Sequence, residues 1–192
     1  SARSSKTQPF VDVPPSDALA DVVERLFVRG IVAGYPSTDG VTVEYRPNQY
    51  INRAEFVQIT LKMLCIIPRD EAKKRPTPFF DMLNTSLWYY PSVKESYLRG
   101  FVKGYLDVKR LDPESGIIQT PFKAANTITR AEAVTVVLAA LNEQGIIDLS
   151  KADLTQTGGP WYEPYMKIGQ DLRPYLVDPK DVVTRVFIVT GG

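Results

Sequence analysis

Apolar residues recur at helical spacing in two long stretches of the chain, each broken by one polar loop. Leu19, Val22, Val23, Leu26 and Phe27 fall at i, i+3, i+4, i+7 and i+8, the stripe of an amphipathic helix. Ser16 or Asp17 stands where a cap belongs, and Gly30 where a left-handed residue ends the helix. A second such helix opens near Pro91 and stops before Gly100. After each loop comes Asn52-x-x-Glu55 or Thr129-x-x-Glu132, a capping box in which cap side chain and glutamate satisfy each other's backbone N–H. Behind the boxes, Phe56, Val57, Thr60, Leu61 and Leu64, and Ala133, Val134, Val137, Leu138 and Leu141, form apolar faces that must be buried.

These elements are two copies of one unit. Phe10-Val11-Asp12, Gly30-Ile31-Val32-Ala33-Gly34-Tyr35 and Ile51-Asn52-Arg53-Ala54-Glu55 recur in order as Phe79-Phe80-Asp81, Gly100-Phe101-Val102-Lys103-Gly104-Tyr105 and Ile128-Thr129-Arg130-Ala131-Glu132. The second copy has about seven extra residues after its Gly-Tyr, in a loop where insertions are tolerated. A third start is read at Trp161-Tyr162-Glu163-Pro164, echoing Trp88-Tyr89-Tyr90-Pro91. The expected organisation is a polar arm at 1–9, repeats at 10–75 and 76–147, and a degenerate third repeat with a tail at 148–192. The expected fold class is all-α: three helix-loop-helix units whose stripes are buried only when the units stack or close on themselves.

Composition narrows the chemistry. The 192 residues contain no histidine and one cysteine, Cys65, which removes His-dependent catalysis, the commonest zinc sets and an internal disulfide. Cys65, within Leu64-Cys65-Ile66-Ile67, reads as a small buried hydrophobe. A net charge of +1 gives no field to collect nucleic acid, and no apolar run is long enough to span a membrane. Asp107, Asp112 and Glu114 lack the spacing of a calcium loop. No carboxylate pair stands out for glycoside hydrolysis, so no enzyme, cofactor or metal is expected.

The ordered motifs from 10 to 142 resemble the S-layer homology domain family, which attaches bacterial surface proteins to the cell wall. Its pattern is Phe-x-Asp, a helix ending in Gly-Ile/Phe-Val-x-Gly-Tyr, a Pro-containing loop such as Arg46-Pro47, and Ile-Thr-Arg-Ala-Glu. The resemblance implies a pseudo-threefold bundle with ligand pockets between repeats. It also implies an extracellular, wall-associated protein binding a secondary cell-wall polysaccharide, typically one bearing a pyruvate ketal, alongside other surface-layer proteins. Arg53 and Arg130 would be the main ligand contacts, aided by the glycine turns (Gly34, Gly104), the opening Asp12 and Asp81, and an aromatic.

The residues supply a reason of their own. Each arginine would sit in the first turn of a helix, beside free N–H groups that suit anions, with a fork matched to a carboxylate. Tyr35, Tyr105 or Trp88 could stack on a sugar ring, and Gly34 and Gly104 would let backbone approach it. This reading requires the guanidinium groups to face a cleft, not bulk water or an internal acid. Asp12 and Asp81 equally suit a turn. The third unit departs from the pattern: Val183-Thr184-Arg185-Val186-Phe187 lacks Ala-Glu, and 182–189 equally suits a strand, so ligand roles are carried onto the first two units only. The competing function is a helical scaffold holding another protein without glycan.

Overall fold

The structure, a computed structural model, describes residues 9–70, 77–155 and 158–172. Among these, helices α1 (Ala20–Val28), α2 (Arg53–Met63), α3 (Tyr90–Leu98), α4 (Arg130–Glu143) and α5 (Glu163–Leu172) alternate with two antiparallel hairpins. These are β1 (Tyr35–Pro36) with β2 (Val43–Glu44), and β3 (Arg110–Leu111) with β4 (Ile118–Gln119). A 3₁₀ turn at Leu149–Lys151 follows α4. The expectation of an all-α fold is therefore corrected: the fold is mixed, helices plus two small antiparallel sheets. The loop after each Gly-Tyr is where the sequence reading missed them. In the first, Asp39 accepts from the Val41 and Thr42 N–H groups and the Thr42 hydroxyl, which reverses the chain so that Tyr35 faces Glu44. The paired strands are two residues long, below the length at which alternation can be read from sequence.

The described chain forms two compact units, residues 9–50 and residues 51–172. The division falls between Tyr50 and Ile51, inside the first sequence repeat. In the first unit the core gathers on Phe10, Val13, Val23 and Tyr45. The Phe10 ring meets Phe27 edge-on at 5.4 Å and Tyr45 at 5.6 Å. In the second unit Phe79 takes the same place, 5.4 Å from Tyr97 and 5.3 Å from Phe122. There α2 packs on α3 and α4, and α4 on α5. Ile51, Ala54, Val57, Leu61, Val93, Ile128, Ala131, Ala133 and Leu138 are buried between them, whereas Val137, predicted to be buried, is exposed and Val136 is buried in its stead.

Helix ends follow the sequence closely. Both capping boxes are formed in both directions, Asn52 with Glu55 and Thr129 with Glu132. At α1 the cap differs: Leu19 occupies the N-cap without a side-chain bond, and Asp17 instead accepts from the Leu19 N–H at 2.8 Å as a turn. Gly30, Gly100 and Gly145 end α1, α3 and α4 at positive φ, and the next residue's N–H bonds back to the last turn.

Helix α2 ends the same way on a residue that is not glycine. Cys65 sits at φ +55°, its N–H on the Lys62 carbonyl and that of Ile66 on Leu61. It is exposed, which corrects the expectation of a buried hydrophobe: the run Leu64–Ile67 is a helix terminus, not core. A Cβ in the left-handed region costs about 1–2 kcal/mol, partly offset by the added freedom of an unfolded glycine. Cys65→Gly is expected to stabilise the protein by about 1 kcal/mol, raising Tm by a few degrees. An unchanged or lower Tm would contradict this account of the turn.

Candidate functional site

The arginine of the first box is drawn into the second unit's motifs. The segment before α4 pairs with the entry to α2, Ile128 N–H donating to the Ile51 carbonyl at 3.2 Å. This register places Arg53 beside the Gly-Tyr turn of residues 100–105. Arg53 is only 6% exposed. Its guanidinium lies between two aromatic rings, 4.7 Å from the Tyr105 centroid and 4.9 Å from that of Phe122. Nη2 donates to the Lys103 carbonyl at 2.6 Å, and Nη1 to the Tyr105 hydroxyl at 3.2 Å and Glu132 Oε1 at 3.3 Å. The Tyr105 hydroxyl in turn donates a short hydrogen bond to the same Glu132 oxygen. Burial, moderated by the Arg53 charge and reinforced by Glu132, pushes the Tyr105 phenol up to about 12, so it stays a neutral donor at physiological pH.

Two expectations change here. The first-turn amides of α2 are not open to an anion: Arg53 N–H donates to the Asn126 carbonyl, Ala54 N–H to Ala124, and Glu55 N–H to the Asn52 side chain. The Arg53 fork is not free either: Glu132 and the Lys103 carbonyl already hold it, so its Nη atoms do not meet the requirement set for the main ligand contact, which an internal acid was to exclude. One donor remains. Arg53 Nε is buried and makes no hydrogen bond among the described residues, although such a group ordinarily costs about 1–3 kcal/mol when unsatisfied.

The other predicted residues take different parts. Tyr105 joins Arg53 directly. Asp12 and Asp81 serve the backbone: Asp12 accepts from the Tyr45 and Arg46 N–H groups at 2.7 and 2.6 Å, Asp81 from those of Phe122 and Lys123 at 2.8 and 2.7 Å. Gly34 and Gly104 serve close packing. A Cβ at Gly34 would lie 2.3 Å from the Phe10 ring, and one at Gly104 1.9 Å from the Thr120 hydroxyl. Tyr35 belongs to the first unit, with the Arg46 guanidinium 5.1 Å from its centroid. Arg130 is half-buried in the first turn of α4. Trp88 is 55% exposed at the approach to α3, edge-on to Tyr89, and Trp161 repeats this against Tyr162 ahead of α5. The Val183–Phe187 segment lies outside the described residues.

Sequence reasoning missed the partners of Arg53. Glu132 was assigned to its cap alone, yet it divides its oxygens: Oε2 accepts from Thr129, and Oε1 meets Arg53 and Tyr105. Lys123 was also missed. Its ammonium stands 4.5 Å from the Tyr105 centroid and 2.8 Å from Asp107. The repetition of a basic residue seven positions before each box arginine (53 − 46 and 130 − 123) was the available signal. Asp112, in the enlarged loop, accepts from Ser115 and Glu114 and so shapes the turn between β3 and β4. No described helix is long and apolar enough to cross a membrane.

Comparison with known proteins finds one family over part of the chain. The model of the S-layer homology domain matches residues 9–57. "Exoglucanase XynX" of Acetivibrio thermocellus is 33% identical over 112 residues, 58% of this chain and 9% of that protein. "Endo-1,4-beta-xylanase A" of Thermoanaerobacterium saccharolyticum is 31% identical over 108 residues, 56% of this chain and 8% of that protein. "Surface layer protein" of Brevibacillus choshinensis is 28% identical over 140 residues, 73% of this chain and 11% of that protein. The chain thus spans about a tenth of the length of these relatives. With the box, Gly-Tyr turn and aspartate clamp in place, residues 9–57 match the S-layer homology domain, the family that anchors surface proteins to the bacterial cell wall.

Proposed function

We propose that this chain is a non-enzymatic anchor that holds a surface protein to the cell wall by binding an anionic, pyruvylated secondary cell-wall polysaccharide. The observation that carries the reading is the buried Arg53, stacked between Tyr105 and Phe122 with its Nε–H unsatisfied. A buried donor of this kind calls for an acceptor, and a carboxylate is the one whose geometry matches a guanidinium. A ligand carboxylate takes Nε and competes with Glu132 Oε1 for Nη1, while Glu132 keeps its capping bond through Oε2. Tyr105 then offers its hydroxyl and ring edge to the sugar. Arg130, in the same motif position, is the second candidate of this kind, with Gly34, Gly104, Asp12 and Asp81 shaping the turns and Trp88 a stacking surface.

The test is retention on purified walls. Arg53→Ala is expected to lower wall pelleting about tenfold or more, as for a lost charge-assisted contact, with circular dichroism unchanged. Full retention by a folded Arg53→Ala/Arg130→Ala chain would refute it and favour a protein-binding scaffold.

A further inference from the structure

The two units share a feature that folding alone does not require. Among the described residues, three that are not glycine have positive φ: Cys65, at its helix end, and Arg46 and Lys123, at φ +59° and +58°. The latter two occupy the same place in the repeat. A turn at that φ is met most cheaply by glycine or asparagine, yet both units place a long basic side chain there. In each, the opening aspartate clamps the strained N–H. In each, the cation lies over the tyrosine of the Gly-Tyr motif, Arg46 over Tyr35 and Lys123 over Tyr105. In each, one acid holds it, Glu44 at 2.9 Å and Asp107 at 2.8 Å.

Local stability does not explain the arrangement. Pairs this exposed contribute little, since the side chains of Arg46 and Lys123 are 33% and 30% accessible. Strained backbone that the surroundings over-determine is characteristic of ligand clamps. The contrast with Arg53 is direct: that guanidinium is buried and mostly committed, whereas these two cations are reachable from solvent beside an aromatic ring.

We infer that Arg46 and Lys123 are the outward-facing cations of two equivalent subsites, each pairing a solvent-reachable positive charge with a tyrosine face to receive an anionic sugar. Lys123 meets the acidic substituent first, while Arg53 positions Tyr105 through its hydroxyl and supplies the buried donor. At Arg46 the same contact is offered by Arg46 and Tyr35. This inference rests on the reading that the ligand is an acidic wall glycan.

The test uses the full chain and isolated secondary wall polysaccharide carrying pyruvate ketals, titrated by calorimetry. Replacing Arg46 or Lys123 by glycine relaxes the strained turn, so loss of binding is not loss of fold. Arg46→Gly/Lys123→Gly is expected to bind about tenfold or more weakly, Lys123→Arg to bind as the parent, and Lys109→Gly, an exposed control that removes one positive charge, to stay within about twofold. If the parent binds and the double glycine variant binds equally, or if Lys109→Gly weakens binding as much, this inference falls and the wall-anchor reading stands. If the parent does not bind at all, both fall.

Discussion

Replacing Glu95 by alanine lowers the unfolding free energy of the 51–172 unit by about 3 kcal/mol, near the low end of the range for breaking a buried ion pair. Glu95 lies in α3 with its side chain fully buried. Arg69 approaches through its own N–H at 3.1 Å and its Nε at 3.0 Å, and Arg99 through Nε at 2.7 Å. Arg99 then reaches Glu143, the last residue of α4, at 2.6 Å. Without the carboxylate both arginines lose their acceptor, but each retains access to water, which keeps the cost from the upper end. Burial pushes the Glu95 carboxyl up, and the bonds from Arg69 and Arg99 outweigh it and hold the group below its usual range. A depressed folded pKa gives stability that is present above the unfolded carboxylate value and lost as pH falls through the folded one. Urea unfolding should therefore show a lower midpoint for Glu95→Ala at neutral pH and a smaller difference from the parent in strong acid. A change below about 0.5 kcal/mol would mean the cluster is ornamental.

Gly34→Ala is expected to cost about 3 kcal/mol, combining left-handed strain with overpacking. Gly34 has φ +73°, and its added Cβ would meet not only the Phe10 ring but also Val43 at 2.7 Å and the Glu44 carbonyl at 2.8 Å. The carbonyl belongs to the hairpin, so relief means parting β1 from β2. Gly104→Ala should cost less, about 2 kcal/mol, because its closest obstacle is the Thr120 side chain. Gly30→Ala is the control: φ is +68° with nothing within 4 Å of the new atom, so only the strain of about 1–2 kcal/mol remains. Equal losses at Gly34 and Gly30 would show that packing against the hairpin is not what reserves Gly34.

The order of these effects shows what a linear sequence can carry. The capping boxes, the α1 stripe, Pro91 near the start of α3 and the glycines closing α1 and α3 are local patterns, and they were legible. The hairpins were not, because two-residue strands leave no alternation and are set by the Asp39 turn and the Gly34–Glu44 contact. Cys65 misled because its apolar neighbours suggest core, whereas the end of α2 fixes its backbone. At the site, the motif arginine was found but its surroundings were not: Glu132, Lys103 and Phe122 come to Arg53 from far along the chain, through pairing of the segments before α2 and α4. Glu95 is legible in part: Arg99 stands four residues on, a spacing that one helix turn sets, whereas Arg69 lies 26 residues away and reaches it only through packing.

The most direct measurement is calorimetry of the chain with a short pyruvylated wall fragment, repeated after removal of the ketal. A chain that grips acidic sugars gives heat with the first fragment and loses most of it with the second. Equal heats with both, or none with either, would contradict recognition of the acidic group.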